Sequence, residues 1–257
     1  MTETSIEIKF ASEVISDIAI SLIMNGANTS RTLKNTQRIA NALGYDADLF
    51  FSLSGVVLSV RDQKTNVIHT IVRAIPHIGV NFEIVSEISI LSWRVVHEKM
   101  NVNSVNEEFN SIKKINHYPK PAIWFFVGLA GASLCRILNG SWIEFFITFF
   151  ATVMGILARQ FLTQKKFNIF IIFTVASFTA VSVVNIFRII TGLELKSAFA
   201  ASVLFLIPGV PLINSFIDIL EGYVMQGIAR GMHGSMLIFV IAMGLFLSLF
   251  LFGYGFN

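Results

Sequence analysis

The residues whose types and spacing could do chemistry lie between positions 206 and 221, in the run Leu206-Ile-Pro-Gly-Val-Pro-Leu-Ile-Asn-Ser-Phe-Ile-Asp-Ile-Leu-Glu221. Inside a helix, Pro208 and Pro211 each delete an i→i−4 hydrogen bond, leaving the carbonyls of Leu204 and Ile207 without donors. Gly209 between them adds backbone freedom. Such carbonyls are costly in hydrocarbon, so a break of this kind is expected against protein or water. Asn214, Asp218 and Glu221 follow at i, i+4 and i+7, on one face of a continuing helix. Broken helices with polar residues beside them are a recurrent way to build midplane transport sites. Pro208, Gly209, Pro211, Asn214 and Asp218 are therefore candidates for substrate binding or gating. The same pattern also fits a proline-capped span end followed by an ordinary amphipathic loop helix, and both readings stay open.

A second polar pair, Asn185 and Arg188, sits at i, i+3 near the end of another apolar segment. An intramembrane arginine usually faces a partner or a watery cavity, and an inward guanidinium would suit a substrate carboxylate through bidentate contact. Arg188 is also close enough to Gly192 to reach the headgroups. Arg136 has the same two options, and Glu144 is placed to pair with it across a short turn. Histidines 69, 77, 97, 117 and 233 lack the spacing of a zinc site, so no metal or other cofactor is expected. No Gly-x-Ser-x-Gly elbow or phosphate-cradling glycine loop occurs. The chain is not expected to be an enzyme.

These residues sit in a divided chain. Of its 257 residues 54% are hydrophobic and 14% charged, with mean hydropathy +0.70. Residues 1–120 hold 12 of the 19 basic and 12 of the 16 acidic side chains; the remaining 137 residues hold 7 and 4. The first part can fold in water, while the second would expose too much apolar surface to stay soluble. A net charge of +3, with no basic run interleaved with aromatics, gives no sign of a nucleic-acid partner. The single cysteine, Cys135, excludes an internal disulfide. A cleaved signal peptide is not expected, because Met1–Lys9 is acidic.

The second part, residues 119–257, predicts a transmembrane bundle of about five spans, since roughly 20 apolar residues cross a bilayer. They are Pro121–Leu138, Trp142–Leu162, Phe167–Thr191, Ser197–Ile213 and Gly234–Tyr254. Gly128, Gly131, Gly227 and Gly231 permit close helix approach. With the N-terminus inside, Lys113, Lys114, Lys120, Arg159, Lys165, Lys166 and Arg230 flank the cytoplasmic side, and only Arg136, Arg188 and Lys196 the other, which favours N-in and C-out. Residues 1–118 predict a small cytoplasmic α+β domain. Helices are expected at Ile6–Met24, stopped by Asn25-Gly26, at Ser30–Leu43, at Asn81–Met100 and at Val105–Ile115. Leu49–Arg61 reads as one strand or a kinked pair, with Val67–Ile75 as partner after a polar turn.

Two motifs make the pattern recognisable. Pro208-Gly-Val-Pro-Leu-Ile-Asn-Ser-Phe-Ile-Asp218, followed by Gly222 and Gly227-Ile-Ala-Arg-Gly231, resembles the signature of the threonine/serine exporter family. Gly26-Ala-Asn-Thr-Ser-Arg31, then Arg38-Ile-Ala-Asn-Ala-Leu-Gly44, resembles that family's opening motif, with Leu33 where an acidic residue often stands. The resemblance implies a mainly α membrane protein with a cytoplasmic N-terminal domain and five membrane helices. It implies a secondary transporter in the bacterial inner membrane that exports small amino acids (threonine, serine) or dicarboxylates such as succinate. The chain is similar to the longer subunit of a split exporter, which implies a short membrane subunit of the same family as partner and a hetero-oligomer. Two other functions fit the division of the chain: a membrane-anchored hydrolase, or a non-transporting scaffold or sensor whose Asn81–Met100 helix binds a partner.

Overall fold

The computed structural model describes residues 3–52, 54–76, 79–115 and 118–253. In chain order the elements are α1 (Glu3–Met24), α2 (Thr29–Ala42), β1 (Tyr45–Phe51), β2 (Gly55–Asp62), β3 (Ile68–Ala74), α3 (Phe82–Glu98) and α4 (Val102–Ile112). There follow α5 (Lys120–Ile137), α6 (Trp142–Gln164), α7 (Ile169–Thr191), α8 (Lys196–Ala201), a 3-10 turn (Leu204–Leu206), α9 (Gly209–Leu220) and α10 (Val224–Leu251). They form two compact units. One comprises Met1–Asn116 with Val210–Met232, the other His117–Gly209 with His233–Asn257. Residues 210–232 thus fold with the N-terminal part although they lie between the fourth and fifth apolar segments in sequence.

In the first unit α1 is the central element. Its Ile8, Ala11 and Ile15 pack with Ala47, Leu58 and Val60 of the sheet, while Val14, Ile18 and Leu22 pack with Ile88, Leu91, Val105 and Phe109 of α3 and α4. Apolar residues on two faces explain why this helix is more hydrophobic than a surface helix needs to be. Asp17, the charge within that run, stays at the surface and pairs with Arg73 and Lys113, both at 3.3 Å. The sheet is antiparallel in the order β1-β2-β3, with Ala47 opposite Val60, Leu49 opposite Leu58 and Phe51 opposite Val56. The sequence over Leu49–Arg61 resolves into the second of its two readings, a pair. A tight turn separates the strands, closed by Ser52 N–H to Gly55 O at 2.8 Å and by Gly55 N–H to Ser52 Oγ at 3.0 Å. Asn81 and Asn101 cap α3 and α4 with their side chains, as residues with a short polar acceptor do.

In the second unit α5, α6 and α7 are long and apolar enough to cross a membrane, as is α10 taken whole; Lys196–Leu206 with Gly209–Leu220 makes a fifth span if the broken pair counts as one. Their outward side chains include Phe125, Phe126, Phe146, Phe150, Phe239 and Phe250, all more than half exposed, which suits contact with acyl chains. The fourth apolar segment does not run as one helix over 197–213, because it breaks at Ile207-Pro208 and restarts at Gly209. The fifth helix begins at Val224, ten residues before the apolar run suggests, and Tyr254 lies outside the described residues. The two carbonyls that the prolines were expected to orphan are served locally. Ile207 N–H donates to Leu204 O at 3.1 Å, and Gly209 N–H to Ile207 O at 2.8 Å. The chain itself thus supplies the donors at the break, and neither carbonyl requires water.

The expected Arg136–Glu144 pair does not form. Arg136 donates to the Gly140 carbonyl and lies 4.6 Å from the centre of the Trp142 ring. Glu144 instead closes a capping box with Ser141 at the start of α6, and its other oxygen accepts the Ser197 N–H at 3.1 Å. A carboxylate at two helix N-termini needs no side-chain cation. Helix α7 packs closely on α10 at Gly244, where a Cβ would press on the Thr174 carbonyl and lie 3.0 Å from Ser177 Cβ. Replacing Gly244 by valine is expected to cost about 1–3 kcal/mol through overpacking. It should lower the melting temperature of the detergent-solubilised chain, and an unchanged melting temperature would contradict this packing.

Candidate functional site

Helix α9 carries the polar face read from the sequence, and within the first unit that face addresses the start of α2. Asp218 is fully buried. Its Oδ1 accepts the Thr29 backbone N–H at 2.9 Å and its Oδ2 accepts the Thr29 hydroxyl at 3.0 Å. Thr29 opens α2, so its N–H is one of the donors that a helix cannot satisfy internally, and the positive end of the helix dipole favours a carboxylate there. The third partner is Arg230 on α10, whose Nη1 lies 2.9 Å from Oδ2 and whose side chain is 15% exposed. A buried charge without such compensation would not persist.

One turn earlier, Asn214 donates from Nδ2 to the Gly26 carbonyl at 2.9 Å. Gly26 ends α1 with φ of +99°, a backbone conformation that side chains with a Cβ resist. Ser215, between the two, donates to the Gly227 carbonyl at 2.7 Å. A Cβ on Gly227 would lie 2.7 Å from Ser215 O, so glycine lets α9 and the first turns of α10 approach backbone to backbone. Gln226 adds a bond to the Phe51 carbonyl at 3.1 Å. The opening motif, the proline motif and the Gly227–Gly231 motif thus converge on one carboxylate.

Two cavities flank this joint. One, of about 380 Å³, is mainly apolar and is lined by Ile23, Phe50, Phe51, Met225 and Ala229, with Gln226 and Arg230 as its polar wall. The other, of about 320 Å³, is lined by Asn28, Arg31, Lys34, Arg38, Ser89, Trp93 and Glu221 among others.

The remaining candidates lie in the second unit, except Pro211, which belongs to the first. Asn185 is fully buried and donates to Ser248 Oγ at 3.2 Å, while its Oδ1 has no hydrogen-bond partner among the described residues. Ser182 bonds the same Ser248 hydroxyl at 2.9 Å. Arg188 is half-buried and donates to the Phe252 carbonyl at 3.2 Å. Pro208 is buried and Gly209 and Pro211 half-buried around the break. The structure thus brings Asn214 and Asp218 together, and separately Asn185 with Arg188 at the end of α7. His97 stacks on Trp93, and the His233 ring lies 5.8 Å from Phe170 at a tilt of 51°; His77 and His117 lie outside the described residues. Thr29, Gly26 and Arg230 were not singled out as site residues, although each stands in a motif segment.

Residues 13–252 match the family described as "Putative threonine/serine exporter". The chain is 29% identical over 239 residues to the protein of Klebsiella aerogenes named "Probable succinate transporter subunit YjjP", covering 91% of both chains. It is 30% identical over 241 residues to the Escherichia coli K12 protein of the same name, covering 90% of this chain and 91% of that one. No solved structure matches.

Removing one member of a buried ion pair leaves its partner's charge uncompensated. Asp218→Ala is therefore expected to destabilise the full chain by about 3–5 kcal/mol. Thr29→Val, which removes one hydrogen bond to a charged acceptor, should cost about 1.5–3 kcal/mol. The double change Asp218→Leu with Arg230→Met should recover much of the loss. Thermal unfolding in detergent checks all three, and a double variant no better than Asp218→Ala would refute the pairing.

Proposed function

Because this chain belongs to the threonine/serine exporter family, we propose that it is the longer subunit of a split secondary exporter of small carboxylate-bearing metabolites. Threonine and serine, or dicarboxylates such as succinate, are the substrates, and a short membrane subunit of the same family is the partner. The N-terminus lies in the cytoplasm and the helices cross the bacterial inner membrane, on the strength of the basic flanks. Support comes from the helices long enough to span a bilayer and from relatives whose names call them transporter subunits.

The observation that carries the reading is the convergence of three separated motif segments on buried Asp218. A carboxylate so enclosed has no open side for a substrate, so in this reading Asn214 and Asp218 act as the joint that holds α9, and gating uses the break before it. Pro208 prevents one continuous helix, and α9 can turn about that break as substrate passes. The Asn185 amide oxygen is a buried acceptor with no donor among the described residues, in a helix long and apolar enough to span a membrane, a placement that favours function. It would take a hydrogen bond from a substrate ammonium, hydroxyl or protonated acid, while Arg188 attracts a carboxylate.

The test is counterflow in liposomes holding this chain with and without a short partner subunit, using labelled succinate, serine and threonine. At least one label should exchange when both subunits are present; no exchange of any of the three, with both inserted, would overturn the proposal. Gly209 gives a sharper check, since among the described residues a Cβ built there meets no atom within 4 Å apart from its chain neighbours and its own helix's backbone. Gly209→Ala should keep the melting temperature yet slow exchange, and full exchange would remove Gly209 from gating.

A further inference from the structure

Helix α2 carries Arg31, Lys34 and Arg38 at i, i+3 and i+7, which puts three cations on one face. Such a row is usually a solvated surface. Here it lines a concave cavity of about 320 Å³ whose other wall is Ser89 and Trp93 of α3, at the small end of the roughly 300–1,000 Å³ typical of small-molecule sites.

The two arginines are held in place by neutral groups. Arg31 donates to Ser89 Oγ from Nε at 3.3 Å and from Nη2 at 3.1 Å. Arg38 donates from Nη1 to Asn35 Oδ1 at 2.9 Å and to Ser92 Oγ at 2.7 Å. The Arg38 guanidinium also lies 3.8 Å from the centre of the Trp93 ring. Asn35 and Ser92 are themselves buried, at 4% and 0% exposure, and Ser92 bonds Asn35 Oδ1 at 3.1 Å. Among the described residues, none of the three cations forms an ion pair with a carboxylate. Elsewhere in this unit arginines are neutralised: Arg94 by Glu98 and Glu108, Arg61 by Asp46, Arg73 by Asp17. Side chains orient the α2 guanidiniums without cancelling their charge. That is the arrangement an anion site requires, because donors fixed beforehand lose little freedom when the ligand arrives.

Charge and spacing define the ligand. Three cations face one lining carboxylate, Glu221, an excess of two positive charges. The Arg31 and Arg38 guanidiniums are anchored on Ser89 and Ser92, three residues and so about 4.5 Å of rise apart on α3. They present two neighbouring sets of donors, which a two-headed anion engages together. We propose that this cavity binds a small dicarboxylate, and that the N-terminal unit senses such a metabolite at a site separate from Asn185 and Arg188. The site adjoins the Asp218 joint through Asn28 and Glu221, which gives occupancy a route to α9. The binding claim does not rest on the transport reading, since it is tested without a partner subunit or a gradient.

The experiment is calorimetric titration of the full chain in neutral detergent with succinate, inorganic phosphate and serine, and a parallel titration with anionic-lipid nanodiscs. Succinate should bind saturably, more tightly than phosphate and far more tightly than zwitterionic serine. The double variant Arg31→Gln with Arg38→Gln should weaken it roughly tenfold or more, as loss of charge-assisted hydrogen bonds does. Glu221→Gln should act in the opposite sense and tighten it, a sign that a merely structural role would not produce. Lys34 and Glu221 are exposed, so Lys34→Gln, expected to weaken binding, and Glu221→Gln keep the test valid if the arginine variant unfolds. Phosphate binding as tightly as succinate, anionic lipid alone binding, or succinate affinity unmoved by these changes would each overturn the proposal. Binding without counterflow would leave this inference standing and count against the exporter reading alone.

Discussion

A carboxylate with no exposed surface has to be compensated where it lies, and that requirement organises the first unit around Asp218. Water in bulk would solvate the charge; here one backbone N–H, one hydroxyl and one guanidinium replace it. Each partner constrains a different element. The N–H belongs to the first turn of α2, so α2 must start at Thr29. That start requires the chain to leave α1 through Gly26 at positive φ, and Asn214 fixes the same loop by its carbonyl. The guanidinium belongs to α10, which reaches Asp218 only because Gly227 admits the α9 backbone. Buried ion pairs contribute little net stability against apolar alternatives, but breaking one is expensive. Such a pair acts less as glue than as a specification of one arrangement.

Much of the fold was legible because burial is periodic. The helices of the first 112 residues occur within three residues of where the sequence places them, since apolar spacing marks each and stops such as Asn25-Gly26 or Gly44 end the first two. The strands were less legible. Leu49-Phe-Phe and Val56-Val-Leu are both apolar runs, and the turn between them is marked only by Ser52, Ser54 and Gly55, whose role rests on Ser52 accepting the Gly55 N–H. The Glu144 error was avoidable: Ser141-Trp-Ile-Glu144 is the Ser-x-x-Glu spacing of a capping box, a local signal that outranks a guess about a cation across a turn.

The candidate site was legible in a different measure. Composition and motif order single out the candidates, and Asn214 and Asp218 do lie one turn apart on α9, while Glu221 falls just past the end of that helix at Leu220. What no local rule supplies is what that face meets, because Thr29 is 189 positions from Asp218. The fourth apolar segment is expected to end at Ile213, yet Ile213, Phe216 and Ile219 are all exposed along α9. The helix is amphipathic: its polar side is buried against α2 and its apolar side is outward, the reverse of a helix packed in water. Sequence hydropathy registers the outward side and cannot see the inward one.

The proline break shows the same limit from the backbone. Prolines at 208 and 211 delete donors, and in a helix that leaves carbonyls exposed to whatever surrounds them. The chain avoids the problem by not being a helix there. A 3-10 turn ends at Leu206, Ile207 takes an extended ψ of 125°, and the N–H groups of Ile207 and Gly209 serve the two carbonyls. The break therefore carries no backbone demand for water, and polar chemistry in the membrane helices has to be located by side chains instead. In the second unit the buried side-chain atoms without a hydrogen-bond partner among the described residues include the Thr148 and Thr152 hydroxyls and the Asn185 amide oxygen, the last beside the Ser182–Ser248 hydroxyl pair. An acceptor of that kind is costly in a dry bundle. The Ser248 hydroxyl accepts from the Asn185 amide nitrogen and pairs with Ser182, so the amide is fixed by its nitrogen, and the role proposed for Asn185 uses the acceptor that this leaves.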